Sequence, residues 1–281
     1  MAYWDLHVHT AWSDGSMAVA GVVAFAARRG LGGIAVTDHD AMDMVAPAQR
    51  AAETAGIGIM PGAELSCIDH DTGRKVHLLV YCPETRATLE PLFDLMAQRR
   101  RQAGEEMIDL LIRHYPVTRA QVLDQAKNSK TIYRVHLLRA LLELGYSDRV
   151  YGPLYQALFG REGVCRRQVE YIDVYDGAKA AQASGGAVVL AHPDVYDSFD
   201  IGERLAQAGL IDGVEYSYPR RNPAHLEKHD RLVRTYGLLS TGGTDFHGFY
   251  TTAPNPVGTC TTSEYELSQL HKLIELKRNG R

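Results

Sequence analysis

The most restrictive feature of this sequence is a repeated arrangement, in which a short apolar run leads directly into histidine or acidic residues. Six such runs can be found along the chain. The residues that end, follow or interrupt them are His7, His9, Asp14, His39, Glu64, His77, His192, Asp245 and His247. Ligand-type side chains gathered at the ends of apolar runs indicate buried strands whose ends meet at one site.

Seven apolar runs have the length expected of buried strands, and most are separated by helical patterns. The predicted strands are 2–6, 33–36, 57–61, 76–81, 187–190, 213–216 and 238–240. Helices are predicted at 17–29, 45–55 and 201–208, with Gly30 as a C-terminal cap of the first. This alternation predicts an α/β fold with a mostly parallel sheet, and seven strands favour a barrel over a doubly wound sheet.

Residues 89–170 interrupt the alternation, because they are helical in pattern, richly charged and without a good strand. We therefore predict a barrel domain formed by 1–88 and 171–281, with 89–170 as a helical insertion that covers the active site. The arginine run 99–101 within the insertion is predicted to be a solvated helix face.

The spacing of the polar residues predicts that they converge. Residues two apart in an extended segment share a face, so His7 and His9 can point to one site, as can Asp245 and His247. The carboxyl ends of parallel strands form the active-site face of such folds. Imidazole and carboxylate are the ligands that Zn²⁺, Mn²⁺ and Fe²⁺ prefer. Six histidines, two aspartates and a glutamate exceed the needs of one ion, and three ions would use them.

Composition excludes several other kinds of site. The formal net charge of -4 gives no basic excess for binding duplex nucleic acid. The four cysteines are scattered without a CxxC pair, which argues against a disulfide framework and against a zinc-thiolate site. The first residues lack the pattern of a signal peptide, and no apolar run approaches the length of a membrane span, so we expect a cytoplasmic protein.

Six segments of the sequence resemble the ordered motifs of a known family. They are DLHVHTAWSDG, GIAVTDHDAM, PGAEL, VHLLVY, AHPDVY and TGGTDFHG. In this order they are similar to the motifs of the PHP (polymerase and histidinol phosphatase) family, and more narrowly to its stand-alone bacterial phosphoesterases. The resemblance implies a distorted (β/α)7 barrel and a trinuclear centre of divalent ions, with Mn, Fe, Zn or Mg as the metal.

The resemblance also implies how the nine ligands are shared and which of them are catalytic. Glu64 would bridge two ions, and Glu64, His192 and Asp245 are predicted to be catalytic. The first ion would be held with His7, His9 and Asp245, the second with His77 and His192, and the third by Asp14, His39 and His247.

Two segments of the insertion are similar to substrate-binding segments of the family. The first, 131–136, implies that Arg134 and His136 face the active site, and the second, 159–163, implies the same for Arg161. Arginine suits phosphate through its bidentate fork of donors. The chain departs from its apparent relatives at 194–195, where an arginine is expected after His192-Pro193, so the identity of the substrate stays open.

The predicted activity is hydrolysis of a small phosphate ester by a metal-activated hydroxide, with arginines neutralising the phosphoryl oxygens. Candidate substrates are a nucleoside monophosphate, a 3',5'-bisphosphate or a cyclic sugar phosphate. Histidinol-phosphate phosphatase and 3'-5' exonuclease activity on short oligonucleotides are alternatives. A metal-dependent amidohydrolase is disfavoured because no lysine stands at these strand ends, and a module that has lost activity is disfavoured by the full ligand set.

Overall fold

The computed structural model describes residues 3–279, in which strands and helices alternate along most of the chain. The strands are β1 (Trp4–Val8), β2 (Gly33–Val36), β3 (Gly58–Asp69), β4 (Arg74–Tyr81), β5 (Ile172–Asp173), β6 (Ala187–Leu190), β7 (Gly213–Ser217) and β8 (Leu239–Gly242). All seven predicted strands are found, while β5 is a two-residue strand without a signal in the sequence. Ala2, where the first predicted strand begins, lies outside the described residues.

The strands form a nearly closed barrel. Among the described residues, seven of them follow one another in the order β1-β2-β3-β4-β6-β7-β8, and β5 pairs with β3 off this path. The chain that follows β8 brings the two edges together, because the Phe246 carbonyl accepts a hydrogen bond from the His9 amide at 2.9 Å. The Phe246 amide in turn donates to the His7 carbonyl at 3.2 Å. This confirms the predicted distorted (β/α)7 barrel.

Strand β4 departs from the predicted parallel arrangement. The pairs β1–β2, β2–β3, β6–β7 and β7–β8 are parallel, but β4 is antiparallel to both β3 and β6. Strand β3 changes partner along its length, pairing with β2 up to Pro61 and with β4 from Gly62 onward. Because β4 runs the opposite way, His77 near its start lies at the same end of the barrel as the carboxyl ends of the parallel strands.

Eleven α-helices accompany the strands in the described part of the chain. They are α1 (Val19–Arg28), α2 (Val45–Ala55), α3 (Glu90–His114), α4 (Arg119–Gln125), α5 (Arg134–Glu143), α6 (Pro153–Phe159), α7 (Val174–Ala183), α8 (Pro193–Tyr196), α9 (Phe199–Gln207), α10 (Leu226–Tyr236) and α11 (Glu264–Asn279). The three helices predicted outside the insertion correspond to α1, α2 and α9. No helix in the described part of the chain is long and apolar enough to cross a membrane.

Four helices, α3 to α6, lie between β4 and β5 and share a hydrophobic cluster separate from those of the barrel. Leu111, Leu137, Leu138, Leu141 and Leu158 are fully buried in it. Apolar contact of this kind lets these helices pack as a unit beside the barrel.

The arginine run on α3 is not a uniformly solvated face, and that prediction is wrong for Arg100. Phe93, Met96, Arg100 and Met107 follow helical spacing on the buried side of α3. The Arg100 guanidinium donates from Nη2 to Asp40 Oδ2 at 2.9 Å and to Ser66 Oγ at 2.6 Å. Its charge can be buried here because an acidic partner balances it and a hydroxyl accepts a second hydrogen bond from Nη2.

Candidate metal centre

The structure brings all nine candidate ligands together at one end of the barrel. Each stands on or just beyond a strand that reaches this end. His7 lies within β1 and His9 directly after it, His39 follows β2, Glu64 lies within β3, His77 within β4, His192 follows β6, Asp245 and His247 follow β8, and Asp14 lies in the loop after β1. Convergence of these distant positions follows from the closed barrel.

The carboxylate of Glu64 lies at the centre of the cluster. Its oxygen Oε1 is 2.8 Å from His77 Nδ1 and 2.9 Å from His192 Nε2. The other oxygen is 3.1, 3.2 and 3.3 Å from ring nitrogens of His9, His39 and His7. Five imidazoles around two oxygens give Glu64 the geometry of a carboxylate that can bridge two cations.

The donor atoms fall into three overlapping sets, in each of which all atoms lie within 4.8 Å of one another. The sets are His9, Asp14, His39 and His247; His7, His9, Glu64 and Asp245; and His39, Glu64 and His77. Two of the sets contain the ligands that the resemblance implied, with His9 as an additional member of the first. His192 belongs to none of the three, although it contacts Glu64 directly.

Several of these buried atoms have no hydrogen-bond partner, which tests whether the residues fit a metal. The unpartnered atoms include His7 Nε2, both ring nitrogens of His9, Glu64 Oε2 and His192 Nδ1. His7 Nε2 and His9 Nε2 lie 3.3 and 3.1 Å from Glu64 Oε2 without hydrogen-bond geometry, and a buried polar atom left unpaired costs free energy. Divalent cations among them would satisfy these atoms, so the donor set fits the metals that the fold family implies.

The charges within the cluster favour bound cations. Burial opposes ionisation of Glu64, but the surrounding histidines, His77 foremost, hold the pKa of this carboxyl well below its usual range. Burial also opposes charge on His9, yet Asp245 and Glu64 outweigh it and raise the pKa of His9 to about 10. Carboxylates therefore stay ionised at neutral pH and stabilise positive charge at this position.

The backbone is strained at two of the nine ligands. His192 has φ of 25° and Asp245 has φ of 51°, in the region that side chains other than glycine rarely adopt. Two residues before Asp245, a Cβ on Gly243 would lie 2.3 Å from the Cβ of His7, so only glycine allows this segment to approach β1 so closely. Such strain persists where the surrounding structure fixes a side chain in place, as at binding sites.

Glu215 contacts two residues of the cluster, His7 and His192, and was not among the predicted site residues. It is fully buried on β7, and its Oε1 lies 3.1 Å from His7 Nδ1. Its second oxygen accepts a hydrogen bond from the His192 amide at 2.8 Å. A carboxylate that binds the far nitrogen of a metal-ligating histidine fixes the ring orientation. The signal in the sequence was an acidic residue inside a buried strand.

Asp38 holds the loop that carries Asp14. Its carboxylate accepts hydrogen bonds from the Thr10 amide and hydroxyl, both at 2.8 Å, and from the Ser13 hydroxyl at 2.6 Å. These bonds fasten residues 10–13 to the end of β2, and Asp14 then lies 3.3 Å from His247 Nε2.

A cleft of about 490 Å³ opens directly above the cluster. Tyr151, Tyr155 and Tyr250 form part of its wall, together with seven of the metal-ligand candidates. Arg220 also lines this cleft and contacts Asp245, although the sequence patterns did not single it out. A cleft of this size admits a small ligand over the cluster.

The three predicted substrate-binding residues differ in their placement. Arg134 lines a smaller cavity of about 150 Å³ that shares Asp14, Tyr151 and Tyr155 with the cleft. His136 is buried and accepts a hydrogen bond from the Tyr133 amide at 3.1 Å, and burial lowers its pKa to about 4. His136 does not line the cleft.

The predicted role of Arg161 has no supporting contact in the structure. Its side chain is 94% exposed, and the acidic group nearest its guanidinium is that of Glu162, at 4.0 Å. It does not line the cleft or the smaller cavity beside it.

Comparison with known proteins places the fold and the cluster in context. The chain is 34% identical over 253 residues to phosphoribosyl 1,2-cyclic phosphate 1,2-diphosphodiesterase of Eggerthella lenta, covering 89% of this chain and 96% of that protein. It is 28% identical to 3',5'-nucleoside bisphosphate phosphatase of Chromobacterium violaceum, covering 88% of each. A crystal structure from Bifidobacterium adolescentis, described as a metal-dependent phosphoesterase, superposes with a TM-score of 0.85 at 25% identity, covering 96% of each chain.

The family model for the PHP domain matches residues 5–181, which include six of the nine clustered residues and the whole helical segment α3 to α6. This match and the similarity along nearly the whole chain confirm the resemblance that the sequence motifs indicated. The chain belongs to the PHP domain family.

Proposed function

We propose that the protein is a metal-dependent phosphoesterase that hydrolyses a small phosphate ester bound in the cleft above the histidine and carboxylate cluster. The observation that carries this proposal is the central carboxylate of Glu64, with five imidazoles around it and unpartnered buried donor atoms beside it. The named activities of the relatives support a 3',5'-bisphosphate or a cyclic sugar phosphate as substrate, with a nucleoside monophosphate as the third candidate.

We further propose that three divalent ions bind here. Their ligands would be the nine clustered residues, with Glu64 shared between two ions. The three overlapping donor sets support this number, and the mixture of imidazole and carboxylate suits Mn, Fe, Zn or Mg. When bound, such ions lower the pKa of water and neutralise phosphoryl oxygens.

Other residues of the chain hold the proposed ligands in place and form the wall of the cleft. Glu215 holds the His7 ring and the His192 amide, so the ligands keep their orientation before substrate arrives. Tyr151 and Tyr155, from the helical segment, form part of the wall of the cleft in which the substrate would bind. In this proposal residues 1–88 and 171–281 form the catalytic barrel, and 89–170 cover its open end.

A release assay tests the proposal directly. The protein, loaded separately with Mn²⁺, Fe²⁺, Zn²⁺ or Mg²⁺, would be given 3',5'-bisphosphates, 1,2-cyclic sugar phosphates, nucleoside monophosphates, histidinol phosphate and short oligonucleotides. We expect hydrolysis of at least one of the first three classes, with phosphate or ring-opened ester as the product. Turnover confined to histidinol phosphate or oligonucleotides would support one of the alternative activities, and no turnover with any ester would refute the proposal.

Replacing Glu215 with glutamine should weaken metal binding or activity by about 10- to 100-fold, because His7 loses the charged partner of its Nδ1 atom. Elemental analysis and kcat/KM on the substrate found above would measure this. Glu162→Gln, at a side chain that is 94% exposed, is the matched control and should change neither quantity. Unchanged metal content and kinetics in Glu215→Gln would contradict the supporting role of Glu215.

Arg134→Ala is expected to raise KM about tenfold, the effect of losing one charge-assisted hydrogen bond to a phosphoryl group. The cavity that Arg134 lines joins the cleft at Asp14, Tyr151 and Tyr155, which supports a contact with substrate. The comparison variant is Arg161→Ala. The sequence predicts that replacing either arginine weakens substrate binding, whereas the contacts in the structure support this effect for Arg134 alone. Wild-type kinetics in Arg134→Ala would remove this residue from substrate binding.

A further inference from the structure

One cationic side chain over the cluster is left without a role by the motifs and by the proposed ligand set. Among the described residues that line the cleft, Arg220 is the sole arginine or lysine. Its guanidinium contacts Asp245, and a guanidinium keeps its positive charge throughout the physiological pH range. A permanent positive charge therefore lies at the edge of the proposed metal centre.

The position of Arg220 is fixed by the loop that bears it. Asp194 accepts hydrogen bonds from the Tyr218 hydroxyl before Arg220 and from the Asn222 amide after it, the latter at 3.0 Å. The Asp194 amide also donates to the Tyr218 hydroxyl at 3.1 Å, and His225 Nδ1 lies against the same carboxylate. Both ends of the loop are thus attached to the residue that follows His192-Pro193.

This attachment bears on a departure noted in the sequence. An arginine was expected after His192-Pro193, and Asp194 and Val195 stand there instead. The Asp194 carboxylate binds the loop, and the loop places Arg220 over the cleft. The chain thus brings an arginine to the cluster from the segment after β7 rather than from the segment after β6.

The contact between Arg220 and Asp245 leaves the arginine able to bind a ligand. The Arg220 side chain is 57% exposed, so its remaining donors are open to the cleft. Asp245 belongs to the donor set with His7, His9 and Glu64, and as a metal ligand it would share its charge with the cation. A phosphoryl group bound to that cation would lie next to the guanidinium, whose forked donors match phosphoryl oxygens.

We infer that Arg220 binds the phosphoryl group of the substrate. This inference rests on the proposed function, because it assumes that a phosphate ester occupies the cleft. It adds a substrate contact from the Tyr218–Asn222 loop, which the family motifs in the sequence did not indicate. Arg220 is a binding residue for the reacting or an adjacent phosphoryl group, and Asp194 is the residue that positions it.

The test uses inorganic phosphate as the probe and compares neighbouring arginines. Arg221 is the matched control, because it donates to the Tyr216 carbonyl at 2.9 Å, stacks on the Tyr216 ring and does not line the cleft. Wild type, Arg220→Ala, Arg220→Lys and Arg221→Ala would be loaded with saturating Mn²⁺, their metal content measured, and phosphate binding followed by calorimetry. KM for a hydrolysed ester would be measured on the same samples.

We expect Arg220→Ala to raise the phosphate Kd and the KM by about tenfold or more at unchanged metal content, since it removes charge-assisted donors. Arg220→Lys should recover part of the loss, and Arg221→Ala should stay within about twofold of wild type. Equal phosphate binding in Arg220→Ala and Arg221→Ala would overturn the inference. So would a defect in Arg220→Ala that arises from lost metal and disappears when more metal is added, because Arg220 would then act through Asp245.

The two proposals fail in different ways. If wild type hydrolyses no phosphate ester, the proposed function is wrong whatever the variants show. If wild type is active and Arg220→Ala binds phosphate as wild type does, the function stands and the role of Arg220 is refuted.

Discussion

Replacing Glu64 with glutamine is expected to abolish phosphate release, with kcat/KM falling by on the order of 10³ or more, as when a central electrostatic contact is removed. The carboxylate is fully buried, and five imidazole nitrogens lie within 3.3 Å of its oxygens. An amide of the same shape keeps the packing but removes the charge that a bridging ligand must supply. Two of the three donor sets contain Glu64, so metal stoichiometry should fall together with activity.

Elemental analysis and turnover on the best substrate would measure this result. The exposed Glu264→Gln is the control, because it changes the same side chain outside the cleft on α11. Thermal unfolding of each variant would show that the fold persists. Full metal content together with wild-type turnover in Glu64→Gln would contradict a bridging role for Glu64.

The sequence was sufficient to predict where the nine clustered residues meet, for a physical reason. Buried strands have short apolar runs, and the side chains that follow them must lie at the strand ends. A closed barrel brings those ends together whatever the details of packing. The HxH segment of β1 illustrates this, since His7 and His9 share a face of one extended segment and both reach Glu64.

The direction of β4 was not predictable from apolar runs, because run length carries no information about strand direction. The predicted third strand ended at Pro61, the last residue of its apolar run. In the structure Pro61 marks a change of partner, and β3 continues to Asp69 as one arm of a hairpin with β4. Gly73 in the connecting turn has φ of 70°, and a glycine among polar residues is a local signal for such a turn.

The sequence did not predict the roles of three residues, because those roles depend on tertiary contacts. They are Glu215, Arg100 and Arg220. Arg100 stands between Arg99 and Arg101 in the sequence, and it is more buried than either of them. What distinguishes it is its contact with Asp40. Arg220 lies in a loop whose course is set by Asp194, a residue 26 positions earlier in the chain. The periodicity of apolar residues predicts which face of a helix or strand is buried. It does not predict which distant residue a charged side chain will contact.

Removal of metal ions with a chelator is expected to abolish activity and to lower the melting temperature by about 10 °C, taking metal at roughly a thousandfold above its Kd and a protein of this size. The reason is the concentration of buried donors in the cluster. His7 Nε2, both His9 nitrogens and Glu64 Oε2 have no hydrogen-bond partner, so loss of the cations leaves these atoms unsatisfied in the interior.

The same measurement on Glu64→Gln separates metal stabilisation from other effects of the chelator. Because two of the three donor sets contain Glu64, the chelator should lower the melting temperature of this variant by clearly less than that of wild type. Re-addition of Mn²⁺ or Zn²⁺ to chelated wild type should restore both the melting temperature and turnover, because the protein fold provides the ligands in place. Activity and melting temperature that do not respond to chelator, in protein that carries less than one ion per chain, would rule out the proposed metal centre. The histidine cluster would then need another explanation for its unpaired buried nitrogens.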